Sequence, residues 1–282
     1  MNEQHIDIFE HIHASYYDLT AAERKVSDFV LNRQTQVQFM SITQLADECG
    51  TAEATVSRFC RSLGLKGFNA FKLELARDSA MSTEKKSDLP FDTLMGRSRE
   101  IGRMGTEAIA QTIELVNEND VLAVVDMLES ANRVLCFGAG GSMLMAKEFA
   151  HLFSNVTGKF IAVSDSHMQM IATAGMGAND VMVLFSYSGA TTQGIQELEL
   201  ARSKGAKTIL ITRFNKSPAA NLADIVLRCG SNEGPFQFGS VPAKIAQLVV
   251  MDVLFQEYCA RNHKACEENT QAIASALSAM HM

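Results

Sequence analysis

The sequence predicts two parts of different fold class: an all-α helix-turn-helix region, then an α/β region on a five-stranded parallel sheet with helices on both faces. Three observations carry this. Short amphipathic segments with helix-capping signatures fill the first 80 residues. Past residue 130, short apolar runs alternate with amphipathic stretches, the βαβ rhythm that right-handed crossovers fold into a parallel sheet. Between them, MSTEKKSDLPFDTLMGRSREIGRM is polar and charged, with Pro90 and two glycines, and reads as connecting chain. The division expected is 1–78 helical, 79–105 linker and 106–282 α/β. At 282 residues, 47% hydrophobic and 20% charged, the chain has length for two domains and too little charge for a disordered tail protein.

Taking the elements in order, Thr20-Ala-Ala-Glu23 and Ser41-Ile-Thr-Gln44 both fit the capping box, in which a hydroxyl and a side chain three residues on satisfy orphan amides reciprocally. Each opens a helix. The second stops at Cys49-Gly50, after which Thr51 can cap a third that ends at Gly64. In that third helix Val56, Phe59, Cys60 and Leu63 follow the i, i+3, i+4, i+7 rhythm and face the core. Thr55, Arg58, Arg61 and Ser62 are then expected to point outward. Helices over 106–117 and 120–129 lead into strands at 134–137, 160–163, 181–185, 208–212 and 225–229. Helices at 143–154, 167–174, 192–204 and 242–262 complete the pattern.

Charge is distributed unevenly. The net charge of −7 argues against nucleic acid when read globally. Locally, Arg24, Lys25 and Arg33 meet nine acids up to Glu53, whereas from 54 to 77 Arg58, Arg61, Lys66, Lys72 and Arg77 face only Glu74. Such a reversal fits either a solvated helix face or a surface for phosphates.

Two motifs carry the chemistry of the second part. Gly138-Ala-Gly140-Gly141-Ser142 lies between a strand and a helix, where glycines let amides approach an anion at the helix start. A dinucleotide fingerprint would need a third glycine where Met143 stands and an acidic residue closing the second strand, where Val163-Ser-Asp165 is offset. The second motif, Ser186-Tyr-Ser188-Gly189-Ala-Thr191-Thr192, follows the third strand. One helix cap needs one hydroxyl, and this loop offers four; capping and phosphate binding are its two readings. In a flavodoxin-like strand order of 2-1-3-4-5, both loops leave the sheet at the switch point and line one crevice.

With these motifs in view, the segment LTAAERKVSDFVLN…MSITQLADECGTAEATVSRFCRSLGLKGFNAFK resembles the N-terminal helix-turn-helix of the RpiR (MurR-like) bacterial transcription regulators, and the remainder resembles their SIS (sugar isomerase) domain. The resemblance implies a DNA-binding regulator of sugar or amino-sugar metabolism that senses a phosphosugar. It implies that Ser142, Ser186, Ser188 and Thr191 hold the sugar or its phosphate. Thr51, Thr55, Arg58 and Arg61 then fall on the recognition segment, with Lys66 as a DNA phosphate contact. At SVPAKIAQ (240–247) the chain departs from the family, with Val241 where arginine follows the serine.

The same fold supports isomerases, so general bases are weighed: Glu148 and His151 read as ordinary surface or interface residues, His167 as a capping or packing residue or as one bordering the crevice, and Glu233 as part of a Gly-rich loop that could close over ligand. No carboxylate pair or Cys/His grouping marks an active site, and the six cysteines show no C-x-x-C pair. The expectation is a non-enzymatic regulator with no cofactor and no metal. An acidic start, MNEQHIDIFE, and no apolar run near the ~20 residues of a membrane span lead to a cytoplasmic assignment. Its expected partners are double-stranded operator DNA and a phosphosugar effector. Two-fold operators imply a homodimer or a dimer of dimers, with Ile245, Leu248, Val249, Asp252 and Leu254 on the last predicted helix either at the interface or against their own sheet. The alternatives are a phosphosugar isomerase whose N-terminal helices serve assembly, and a purely structural oligomerisation protein.

Overall fold

The computed structural model describes residues 8–83, 93–230 and 241–278. Of these, 8–83 and 93–103 form one compact unit, and 104–230 with 241–278 form a second.

The first unit is helical. It contains α1 (Ile8–Ser15), a 3₁₀ turn (Tyr16–Asp18), α2 (Ala21–Asn32), α3 (Gln34–Val37), α4 (Ile42–Glu48), α5 (Glu53–Ser62) and α6 (Phe68–Thr83). Both capping boxes form as read. The Thr20 side chain accepts from the Glu23 amide while Glu23 accepts from the Thr20 amide, and Ser41 and Gln44 repeat the exchange. Each box satisfies two amides that the first helical turn leaves orphaned, which fixes where α2 and α4 begin. Gly50 (φ +59°) and Gly64 (φ +74°) supply the left-handed backbone that ends α4 and α5. The core gathers Val26, Val30, Leu45, Val56, Phe59, Cys60, Leu63, Phe71 and Leu75, each at most 1% exposed. Phe59 and Phe71 meet edge-to-face, 5.5 Å apart.

Helix α7 (Leu94–Leu115) passes from the first unit into the second. Residues 79–83 and 94–105 of the expected linker are thus helical, while Pro90 lies outside the described residues. At 94–105 the polar composition belongs to a largely exposed helix.

In the second unit α8 (Glu118–Ser130) leads into β1 (Arg133–Gly138), α9 (Gly141–Ser154), β2 (Phe160–Ala162), α10 (Ser166–Ala174), β3 (Asp180–Phe185), α11 (Thr192–Ser203), β4 (Lys207–Thr212), β5 (Ile225–Arg228), α12 (Val241–Arg261) and α13 (His263–Ser278). The strands pair in the order β2-β1-β3-β4-β5, all parallel, as the alternation predicts. Because all six residues of β3 are buried, this strand has no solvent face and reads as a continuous apolar run after Asp180. One face packs Phe149, Phe153, Phe160, Met251 and Leu254; the other packs Leu135, Phe137, Leu184 and Leu198. On α12, Val250, Met251 and Leu254 are buried in this core while Leu248 and Asp252 are exposed. Helix α13 was not foreseen from the sequence; Asn269 and Thr270 fasten it by donating to the carbonyls of Val156 and Asn155.

At the opposite end of the sheet from the loops of interest, Arg133 donates to both oxygens of Asp180 at 3.1 and 2.7 Å. This bidentate pair locks β1 to β3, and the arginine holds the Asp180 carboxyl below its ordinary value against the opposing effect of burial.

Candidate functional site

The turn after β1 is built by the backbone first. Gly138 ends β1 so close to the next turn that a Cβ there would lie 2.8 Å from the Ser142 carbonyl group. Gly140, at φ +54° and ψ −124°, caps α9 in a conformation open to glycine alone. Together they turn the chain tightly and leave Gly141 and Ser142 at the start of α9, with no side chain capping the helix. The Ser142 and Met143 amides donate within the turn, to the carbonyls of Ala139 and Gly140 at 3.1 Å each, and the N-terminus of α9 lies at the carboxyl edge of the sheet.

The hydroxyl loop leaves β3 on the neighbouring strand. Gly189 (φ +60°) folds it back, its amide donating to the Ser186 carbonyl at 3.1 Å and its carbonyl accepting from Ala219 at 2.9 Å. Tyr187 is held from the β4 side, its carbonyl accepting from the Arg213 amide and from the Thr212 hydroxyl, both at 3.1 Å. Thr191 is the N-cap of α11, yet its side chain makes no capping hydrogen bond. The hydroxyl is therefore not consumed by the role that its position would otherwise explain. Ser188 accepts from the Ala190 amide at 3.3 Å and is exposed, Thr191 is exposed, and Ser186 is 6% exposed at the strand end. Gly138, Gly140, Gly141, Ser142, Ser186, Ser188, Gly189 and Thr191 thus all lie at the carboxyl ends of the adjacent strands β1 and β3.

Beneath these loops lie three polar side chains that the sequence reading passed over. Gln169 on α10 is 1% exposed, and its Nε2 donates to the carbonyls of Gly138 (3.1 Å) and Val163 (2.7 Å). Gln193 on α11 donates from Nε2 to Gln169 Oε1 (2.6 Å) and to Glu197 Oε1 (2.7 Å). Glu197 is 1% exposed, and burial pushes its carboxyl up to about 7 while the Gln193 bond pulls it the other way. The i, i+4 spacing of Gln193 and Glu197 on α11 could have paired these two, whereas nothing in the sequence ties Gln169 to them. Arg213 and Lys216 also follow β4 at this edge of the sheet.

Of the weighed general bases, Glu148, His151 and His167 are exposed. His167 does not cap α10; Asp165 does, accepting from the Met168 amide. Glu233 and Ser240 lie outside the described residues. Among the described residues no group of three or more His, Cys, Asp or Glu could hold a metal, and no helix is long and apolar enough to cross a membrane.

In the first unit, α4, the turn at Cys49–Ala52 and α5 form the helix-turn-helix. Arg58, Arg61 and Ser62 are exposed on α5, and Lys66 is exposed just beyond it. Thr55 corrects the sequence reading: it is 5% exposed, and its Oγ1 accepts from Arg58 Nη2 at 3.1 Å. It lies four residues before Phe59, so the helical period carries it onto the core side of the Phe59 ridge. Thr51 does not cap α5 either. Ala52 is the N-cap, and Thr51 Oγ1 is buried without a hydrogen-bond partner among the described residues. The hydroxyl and amide of Thr20 hold the Glu23 carboxyl below its ordinary value, and the charge of Arg58 adds to this across the α2–α5 contact.

Comparison with known proteins fits both halves. Residues 6–82 match the helix-turn-helix domain of the rpiR family, and residues 127–256 match the SIS domain. An HTH-type transcriptional regulator of Caldanaerobacter subterraneus is 33% identical over 251 residues, which are 88% of this chain and 89% of that protein. Another from Haemophilus influenzae is 29% identical over 255 residues, 88% of each. Among solved structures, the Vibrio vulnificus NanR protein complexed with ManNAc-6P superposes with a TM-score of 0.88 at 24% identity, over 98% of this chain and 100% of that one. From its capped helix-turn-helix, its five parallel strands and these matches, the chain belongs to the RpiR family of HTH-type transcriptional regulators that carry a SIS domain.

Proposed function

We propose that a phosphosugar bound between the β1–α9 turn and the hydroxyl loop modulates how this regulator binds operator DNA. The observation that carries the reading is Thr191, a helix N-cap whose hydroxyl caps nothing, within a loop of four hydroxyls at the switch point of a parallel sheet. Neutral hydroxyls and helix-start amides can surround a phosphate without a P-loop lysine. The NanR neighbour is complexed with ManNAc-6P, which makes hexosamine 6-phosphates the first ligands to try. We assign DNA reading to 1–78 and sensing to 106–282, with 79–105 joining them. The working unit is a homodimer or a dimer of dimers acting in the cytoplasm, because one small motif covers one half-site.

A sensor rather than an isomerase is favoured by the basic face of α5, which an isomerase does not need. The exposed positions of Glu148, His151 and His167 point the same way. The deciding experiment is thermal-shift screening of hexose and hexosamine 6-phosphates. A ligand that binds only the folded protein raises its melting temperature in step with RT ln(1 + [L]/Kd). A phosphosugar that stabilises the protein, is recovered unchanged and alters its gel shift on upstream DNA supports the regulator. Turnover of the sugar without any DNA binding supports the isomerase.

A further inference from the structure

The chain Gln169–Gln193–Glu197 has a direction imposed by chemistry. Its inner end is two backbone carbonyls, those of Gly138 and Val163, which can only accept. Gln169 must therefore turn its NH2 toward them, leaving its oxygen to face Gln193. Gln193 then has to present its own NH2 to that oxygen, 2.6 Å away. At the other side Glu197 Oε1, 2.7 Å from the same nitrogen, takes the second hydrogen. Reversing the Gln193 amide would set its oxygen against that of Gln169, whether or not Glu197 carries a proton. Both of its hydrogens are spent, and its Oε1 is left as an acceptor held in one orientation.

Exposure distinguishes the three members. Gln169 and Glu197 are each 1% exposed, while Gln193 is only half-buried. Gln193 is the second residue of α11, two positions past Thr191, and through Gln169 it is tied to the last residue of β1, where the glycine turn begins. It stands where the two loops of the crevice are cross-linked. An acceptor-only group repels phosphate oxygens and favours a ligand atom that carries hydrogen.

We propose that Gln193 selects the sugar rather than the phosphate, accepting a hydrogen bond from a hydroxyl or an amide N–H of the bound phosphosugar. Gln169 is the positioning residue that fixes its polarity, and Glu197 takes its second hydrogen. This rests on the phosphosugar reading above and adds to it a specificity determinant outside the hydroxyl loop.

The test compares affinities for inorganic phosphate and for the tightest binder of a panel of hexose and hexosamine 6-phosphates, by calorimetry on the full-length protein. For Gln193→Leu the expected result is a loss of about tenfold for the sugar phosphate with inorganic phosphate changed by less than about twofold. Gln193→Met keeps the length of the side chain and removes its acceptor. It should lower the same ratio by a similar factor, which a merely structural role would leave unmoved, and it serves if Gln193→Leu does not fold. Equal losses for both ligands, or no loss for either, in a folded variant overturn the role of Gln193 and leave the phosphosugar site standing. Wild-type protein that binds phosphate but no sugar phosphate, or neither, overturns the site reading and this proposal with it.

Discussion

Gly189 and Ser217 approach so closely that a Cβ built on the glycine would lie 2.1 Å from the serine Oγ and 2.7 Å from its Cβ. Ser217 has no room to retreat: it is fully buried, donating to the Phe214 carbonyl at 3.2 Å and accepting from the Ala220 amide at 3.3 Å. Gly189 also sits at φ +60°, which disfavours any side chain. Gly189→Ala is expected to cost about 1–3 kcal/mol in chemical denaturation and to displace the hydroxyl loop, weakening phosphosugar binding as well. Unchanged denaturation midpoint and ligand affinity would show that the loop does not depend on this contact.

Within the loop, Ser188→Ala removes a candidate phosphate donor without disturbing the core, since Ser188 is exposed. Its expected effect is a loss of roughly 1.5–3 kcal/mol, or one to two decades of affinity. Calorimetry that finds a Ser186/Ser188 double alanine protein binding hexosamine 6-phosphates as tightly as wild type would remove the site. Equal binding of the unphosphorylated sugars would count against it too.

On α5 the exposed arginines and the buried threonine separate two roles. Arg58→Ala or Arg61→Ala is expected to cost roughly 1–3 kcal/mol of operator binding and to relax specificity at one position, whereas Lys66→Ala weakens all sequences alike. Thr55→Val keeps the buried volume and frees Arg58 Nη2 from its 3.1 Å bond. It should change operator preference more than stability. Quantitative gel shifts across single-base operator variants, at fixed salt, distinguish these outcomes; a double alanine protein with normal operator binding rules out this face.

Glu197 makes stability depend on pH. Its carboxyl is pushed up to about 7 by burial, above the ordinary 4.5 that it regains on unfolding. Between those values the folded protein holds more protons than the unfolded chain, so this contribution is fully present below about 4.5 and is lost as pH rises through about 7. Denaturation midpoints of wild type relative to Glu197→Gln should fall across this window and level off above it. A difference that does not vary with pH would mean that Glu197 does not carry this proton.

Coupling between sugar and DNA must be reciprocal if one ligand sets the affinity of the other. Saturating operator DNA is expected to change phosphosugar affinity by the same factor by which the sugar changes DNA affinity, typically about 5–150-fold. Equal DNA affinities with and without the tightest-binding hexosamine 6-phosphate would show that the two sites do not communicate.

Much of this protein was legible in its sequence because much of it is local. Thr20 and Glu23, or Ser41 and Gln44, bond across a single helical turn, so four letters suffice to place the start of α2 and α4. The strands could be read, and so could their order, because a parallel run needs both faces covered and β3 is apolar after Asp180. The glycine turn and the hydroxyl loop were visible for the same reason, each being continuous in the chain.

What tertiary structure decided is which side chains meet across elements. Thr55 looked like an outward residue and is buried, because the core of the first unit closes around the Phe59 ridge more widely than a strict heptad count allows. That 94–105 is helical was not legible, because an exposed helix and an irregular connection share the same polar composition. Gln193 and Glu197 stand at i, i+4 on α11, but Gln169 is 24 residues before Gln193 and no spacing ties it to them. Only the packing of α10 against α11 over the end of β1 turns two ordinary glutamines and a glutamate into one hydrogen-bonded chain with a fixed direction, and so gives a crevice foreseen from its loops a feature that the loops do not contain.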